Sequence, residues 1–153
     1  MRPCKGNEPM KKIVVAITGA SGSVYGLRLT EELLEAGCRV TLLLSRSGLD
    51  VLRYETGLEW EGTASQRQVL MRDYFSGSRK LEHFDERDLF APVASGSSAP
   101  DAVVVSPCSM GTIGRVAAGS SETQIERARM MSAAWNSNHG PRGPWATGWD
   151  GGH

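Results

Sequence analysis

The stretch Ile13 to Thr18 (IVVAIT) is an unbroken apolar run rich in β-branched residues, and it ends directly on Gly19-Ala20-Ser21-Gly22. Such a run suits a strand buried on both faces, as in a parallel sheet under helices. The glycines then turn the chain into a stretch, Ser23 to Ala36, whose Val24, Leu27, Leu33 and Leu34 recur at helical spacing before Gly37 ends it. One strand, one glycine turn and one helix in this order already exclude an all-helical bundle and an all-β sandwich.

The pattern repeats along the chain. Val40 to Leu44 reads as a second strand, Ser47 to Glu55 as a helix ended by Gly57, and Ser65 to Tyr74 as a further helix. Gly77 to Asp88 is polar, with a short strand placed at His83-Phe84. Ala91 to Pro100 is a small-residue loop bracketed by prolines. Ala102 to Val105 is the third clear strand, stopped by Pro107, and Ser109 to Gly119 opens another helix. Alternation of this kind predicts an α/β sandwich with a mostly parallel sheet. Residues 1–9 read as a loose, disordered N-terminal extension and residues 10–129 as one domain. Beyond Ile125 the chain holds no Val, Ile or Leu, so residues 130–153 are expected to be a disordered tail, after a helical turn or two around Ile125 to Ala134. On this reading the domain stops before its sheet is complete.

Charge and cysteine content narrow the function. Seventeen Lys+Arg balance seventeen Asp+Glu, which argues against a nucleic-acid or anionic-membrane binder. No apolar run approaches the roughly 18 residues that span a bilayer. Cys4, Cys38 and Cys108 are odd in number and widely spaced, giving neither a disulfide framework nor a zinc site. A protein of the reducing cytoplasm is expected, with no metal.

Three hydroxyl-rich turns, Gly19 to Ser23, Ser95 to Ser98, and Pro107 to Thr112, are placed at or near the carboxyl end of the sheet. Open α/β folds bind ligands at the carboxyl ends of their strands, and helix N-termini attract phosphate. Together the turns suit a phosphorylated cofactor. The first also fits a dinucleotide turn, for which Arg46 beyond the second strand favours a 2′-phosphate over a plain ribose. Cys108 invites a nucleophile reading, with a small buried cysteine the commoner case. His83 reads as a surface histidine, and Arg127 and Arg129 as a solvated helix face.

The same motifs resemble those of the flavin prenyltransferases of the UbiX type, formerly described as aromatic-acid decarboxylases. The matching residues are Ile17 to Leu29, Leu44-Ser45, Ala91 to Asp101, Pro107 to Thr112 and Ile125 to Ala128. The resemblance implies a Rossmann-like flavoprotein domain, a three-layer sandwich, that binds FMN and assembles into homo-oligomers, typically dodecamers. It implies transfer of a dimethylallyl group from dimethylallyl phosphate to reduced FMN, with the product serving a UbiD-type decarboxylase. By motif position, Gly19, Ala20, Ser21, Ser45, Ser109, Met110, Gly111 and Thr112 would hold the FMN. Ser21 would also relay a proton near the reacting flavin nitrogen, and the loop of Ser95, Gly96 and Ser97 would close over the prenyl site.

The chain departs from the family pattern after Arg129, where the family's catalytic Glu, an FMN-contacting Arg and most of the phosphate clamp are expected. A truncated or frameshifted member, impaired in prenyl transfer, is therefore the expectation. The alternatives are a non-catalytic FMN-binding fragment, a related flavin-dependent cysteine decarboxylase, whose Pro-x-Met-Asn signature and catalytic His are not visible, and an NADP-dependent reductase.

Overall fold

The computed structural model describes residues 9–88, 91–92 and 99–129. Strands β1 (Lys12–Ile17), β2 (Arg39–Leu44), β3 (Leu81–His83) and β4 (Ala102–Val105) form one sheet in the order β3-β2-β1-β4. Every pairing is parallel. Helices α1 (Ser23–Glu35), α2 (Arg46–Thr56), α3 (Ala64–Tyr74) and α4 (Met110–Ala117) fill the connections, and residues 124–129 form a further helical segment.

Register sorts the apolar residues onto two faces. Val15 lies opposite Leu42 and Ile17 opposite Leu44. This face packs with Leu27 and Leu33 of α1, Leu52 of α2 and Met71 of α3. Val14, Ala16 and Leu43 point the other way, where Ala91, Ile125 and Ala128 cover them. A period of two along each strand puts alternate residues on opposite faces, so both faces must be apolar for the run IVVAI to be buried. The result is the three-layer α/β arrangement expected from the sequence.

Local chemistry sets the helix ends. Ser45 caps α2 by accepting from the Gly48 amide at 3.0 Å, while Thr63 and Gln66 form a reciprocal capping box on α3. The observed strand β3 begins at Leu81, two residues before the expected His83-Phe84. Beyond β4 no further strand pairs among the described residues, and Val104 is 36% exposed.

One expectation fails here. His83 is not a surface residue: it is 4% exposed. Its ring is taken up by β2 and α3, Nδ1 lying 2.8 Å from the Leu42 carbonyl and Nε2 accepting from Arg67 Nε at 3.1 Å. Of the predicted solvated pair, Arg129 is exposed, but Arg127 is half-buried and donates to the Ser121 carbonyl at 2.6 Å.

Candidate functional site

The strand order places β2 and β4 on opposite sides of β1. At such a switch point the loops leaving neighbouring strands diverge and open a crevice at their carboxyl ends. Thr18 sits at its floor, wholly buried. Its hydroxyl donates to the Pro107 carbonyl at 2.8 Å and accepts from the Ser109 amide at 2.7 Å. The turn after β1 is thereby tied to the turn after β4, residues 91 apart in sequence.

Three helix N-termini open around this crevice. A Cβ added at Gly48, at the start of α2, would lie 2.5 Å from the Ile17 carbonyl oxygen. One added at Gly26, in α1, would lie 2.3 Å from the Ser106 oxygen. Both contacts are to backbone, so only glycine lets α1 and α2 approach the strand ends this closely. At α4, Ser109 caps the helix by accepting from the Thr112 amide at 3.2 Å.

The first of these N-termini is already occupied. Glu55, in the last turn of α2, accepts from the amides of Gly22 at 3.0 Å and Ser23 at 2.9 Å, and from the Ser23 hydroxyl. These bonds, the Ser23 hydroxyl's above all and the Gly22 and Ser23 amides' next, hold its carboxyl below the usual range, and the Ser21 hydroxyl adds to the effect. Sequence reasoning missed Glu55. Its one signal was an acid in the last turn of a helix, the end the helix dipole disfavours for negative charge. Glu55 also bears on the dinucleotide alternative. A pyrophosphate at the start of α1 would have to displace this carboxylate from the Gly22 and Ser23 amides.

The predicted residues fall into distinct settings. Gly19 and Ala20 are half-buried and Ser21 is exposed at the turn. Ser45 is almost buried, its hydroxyl engaged with the Gly48 amide and, at 3.2 Å, with the Ser47 hydroxyl. Met110 and Gly111 are exposed at the start of α4, whereas Thr112 is buried with its hydroxyl 3.0 Å from that of Ser109. Ser95, Gly96 and Ser97 lie outside the described residues. Cys108 is half-buried, and burial pushes its thiol up rather than toward a thiolate, against a nucleophile. Among the described residues no group of metal-ligating side chains is assembled, and no helix is long and apolar enough to cross a membrane.

Comparison with known proteins settles the family. The profile of the family described as "Flavoprotein" matches residues 1–140. The chain belongs to the flavoprotein family. Among its relatives is a flavin prenyltransferase UbiX of Pseudomonas aeruginosa, 39% identical over 119 residues, which are 77% of this chain and 57% of the relative. This flavoprotein thus spans little more than half the length of the relative it matches. A crystal structure of AnUbiX in complex with FMN and dimethylallyl pyrophosphate superposes with a TM-score of 0.66 at 28% identity, covering 80% of this chain and 58% of that one. A dodecameric FMN-dependent UbiX-like decarboxylase from Escherichia coli does so at 0.64 and 26%, covering 78% and 59%. The neighbours carry the same α/β fold.

Proposed function

We propose that this flavoprotein binds FMN in the crevice between β1 and β4 and acts as a flavin prenyltransferase of the UbiX type. The observation that carries the proposal is the Thr18 bridge, which gathers the Gly19-Ala20-Ser21 turn and the Ser109 to Thr112 turn at one switch point. The residues present fit the cofactor. Met110 and Gly111, exposed in the first turn of α4, have amides with no acceptor inside the helix, and Ser21 offers an exposed hydroxyl. Gly19, Ala20, Ser21, Ser45 and Ser109 to Thr112 would hold the FMN, and the Ser95, Gly96, Ser97 loop would close over the prenyl site.

When bound, reduced FMN would supply the N5 and C6 positions that take the dimethylallyl group of dimethylallyl phosphate, its C–O bond breaking to release inorganic phosphate. The chain's own part is positioning and proton handling. Ser21, exposed at the turn, would relay a proton at the flavin nitrogen. A UbiD-type decarboxylase would receive the product in the cytoplasm. Exposed Val24, Tyr25, Met110 and Ile113, on the helices that open beside the crevice, favour assembly into a homo-oligomer around it.

The test is size-exclusion chromatography of the chain with FMN, read at 280 and 450 nm, followed by incubation with reduced FMN and dimethylallyl phosphate. A yellow oligomeric peak is expected; a colourless protein overturns the reading. Flavin binding with no prenylated product identifies a non-catalytic FMN-binding protein instead.

A further inference from the structure

Between α3 and β3 lies a second cluster of polar groups that the proposed flavin chemistry does not use. His83, at the end of β3, is buried against β2 and α3. The Leu42 carbonyl can only accept, so Nδ1 carries the ring proton in its 2.8 Å contact with that oxygen. Arg67 Nε can only donate, so Nε2 presents a lone pair to it at 3.1 Å. The hydrogen bonds admit one state of the ring, the neutral Nδ1-H tautomer.

Arg67 does more than meet the imidazole. Only 12% of its side chain is exposed. Its guanidinium also donates to the Gly62 carbonyl at 2.7 Å and to Asp85 Oδ2 at 3.0 Å. Asp85 in turn begins the segment that leaves the sheet: its Oδ1 accepts from the Arg87 amide and its carbonyl from the Asp88 amide, each at 3.0 Å. The next residue, Glu86, reaches both flanks, its carbonyl accepting from the Gln124 amide at 2.7 Å and its carboxylate from the Arg46 amide at 3.4 Å. One guanidinium therefore fastens the end of β3, the loop before α3 and the start of the segment that leads toward Ser95.

We propose that His83 and Arg67 form an acid-released latch, closed while the imidazole is neutral and opened when a proton arrives at Nε2. That proton replaces the lone pair Arg67 needs with a second donor, and it sets two cations face to face. Arg67 must then leave, giving up Gly62 and Asp85 together. The charged groups acting on the ring are Arg67 from α3 and Asp85 from the chain beyond β3. Asp85 favours the proton, but both its oxygens are engaged, by Arg67 and by the Arg87 amide. Burial, the largest influence, and the Arg67 charge hold the His83 ring below its ordinary value, while Leu42 and Asp85 pull it upward. The closed state is thus the neutral-pH state, and opening belongs below the ordinary imidazole value of about 6.5.

The latch stands apart from flavin binding, so its test needs no cofactor. Amide hydrogen exchange of the full chain is followed by NMR between pH 7 and pH 5, corrected for intrinsic exchange, with the His83 ring signals recorded in the same samples. Protection of the Arg87 and Asp88 amides is expected to fall by about tenfold per pH unit below the imidazole range, the slope of one proton taken up on opening. In His83→Gln, whose side chain cannot titrate, the slope is expected to vanish. Protection that stays flat across the window in the wild-type chain overturns the latch, as does an unchanged slope in His83→Gln. Should that variant fail to fold, the wild-type slope alone decides.

Discussion

Glu55 stands in the last turn of α2, yet its carboxylate serves the first turn of α1, 2.9 Å from the Ser23 amide and 3.0 Å from that of Gly22. At its own helix end a negative charge is disfavoured; at the start of α1 it satisfies donors left without intrahelical partners. The pair ties the turn after β1 to the far end of α2. Because the carboxyl is held below its usual range, the native state binds fewer protons there than the unfolded chain. Its contribution is complete above the ordinary glutamate value of about 4.3 and is lost as pH falls from there through the lowered folded value. Glu55→Gln should therefore melt below the wild type at pH 7, with the gap closing toward pH 3. A gap independent of pH in paired melting curves would show that the charge is not what matters.

The bridge from Thr18 predicts a different kind of loss. Thr18→Val keeps the shape but leaves the Ser109 amide, now 2.7 Å from the hydroxyl, without its acceptor. The Pro107 carbonyl keeps a bond from the Thr18 amide at 3.2 Å. Leaving this part-buried donor orphaned should cost about 1 kcal/mol, the low end of the range for a buried one, measured by urea denaturation. FMN affinity should fall as well, since the two cradle turns are no longer held together. Undiminished FMN binding in a destabilised variant would separate the bridge from the site.

Two glycines in helices should respond in opposite senses. At Gly26 a Cβ meets the Ser106 oxygen at 2.3 Å and Ile17 Cγ1 at 2.7 Å, so Gly26→Ala should destabilise by about 1–3 kcal/mol through overpacking. At Gly114, inside α4, nothing lies within 4 Å, and Gly114→Ala should stabilise by about 0.5–1 kcal/mol through helix propensity. Denaturant midpoints of the two variants check the pair. Equal shifts would mean that the close approach of α1 to the turn after β4 is absent in solution.

Much of this architecture is local and hence readable from the chain. The apolar runs at Val14 to Ile17 and Val40 to Leu44 become strands because both faces are covered, and Ala102 to Val105 occupies the expected range unchanged. Ser45, Gly57 and Ser109 mark helix ends through caps that reach only three or four residues. What escaped notice depends on partners far away in sequence. His83 looks polar among polar neighbours, but its ring is satisfied by a carbonyl 41 residues earlier and a guanidinium 16 residues earlier. Glu55 acts on amides 32 and 33 residues before it. No periodicity encodes either pairing, since each arises only once the parallel sheet has brought the elements together.

Glu126 anchors the turn that leads into helix 124–129. It is 1% exposed. Oε1 accepts from Arg115 Nε at 2.6 Å, and Oε2 from the Ser120 hydroxyl at 3.0 Å and the Glu122 and Thr123 amides at 2.8 and 3.1 Å. Burial alone would push the carboxyl up, but Arg115 and then the turn's own donors outweigh it and hold it below its usual range. Helix 124–129 covers the second face of the sheet through Ile125 and Ala128, so this carboxylate fixes the turn that lets the cover close. Glu126→Ala leaves the part-buried Glu122 and Thr123 amides, the Ser120 hydroxyl and a guanidinium without this acceptor. The cost should be about 3 kcal/mol, the low end for a broken buried pair because Arg115 is 46% exposed and can turn to water. Glu126→Gln keeps the shape and one carbonyl acceptor and should lose less. Its deficit should shrink as pH falls from the ordinary glutamate range through the lowered folded value, where the wild-type carboxylate itself becomes protonated. Urea denaturation of both variants at pH 7 and pH 4 measures this. Equal stability of Glu126→Gln and the wild type at pH 7 would mean that the ionised form is not what holds the turn.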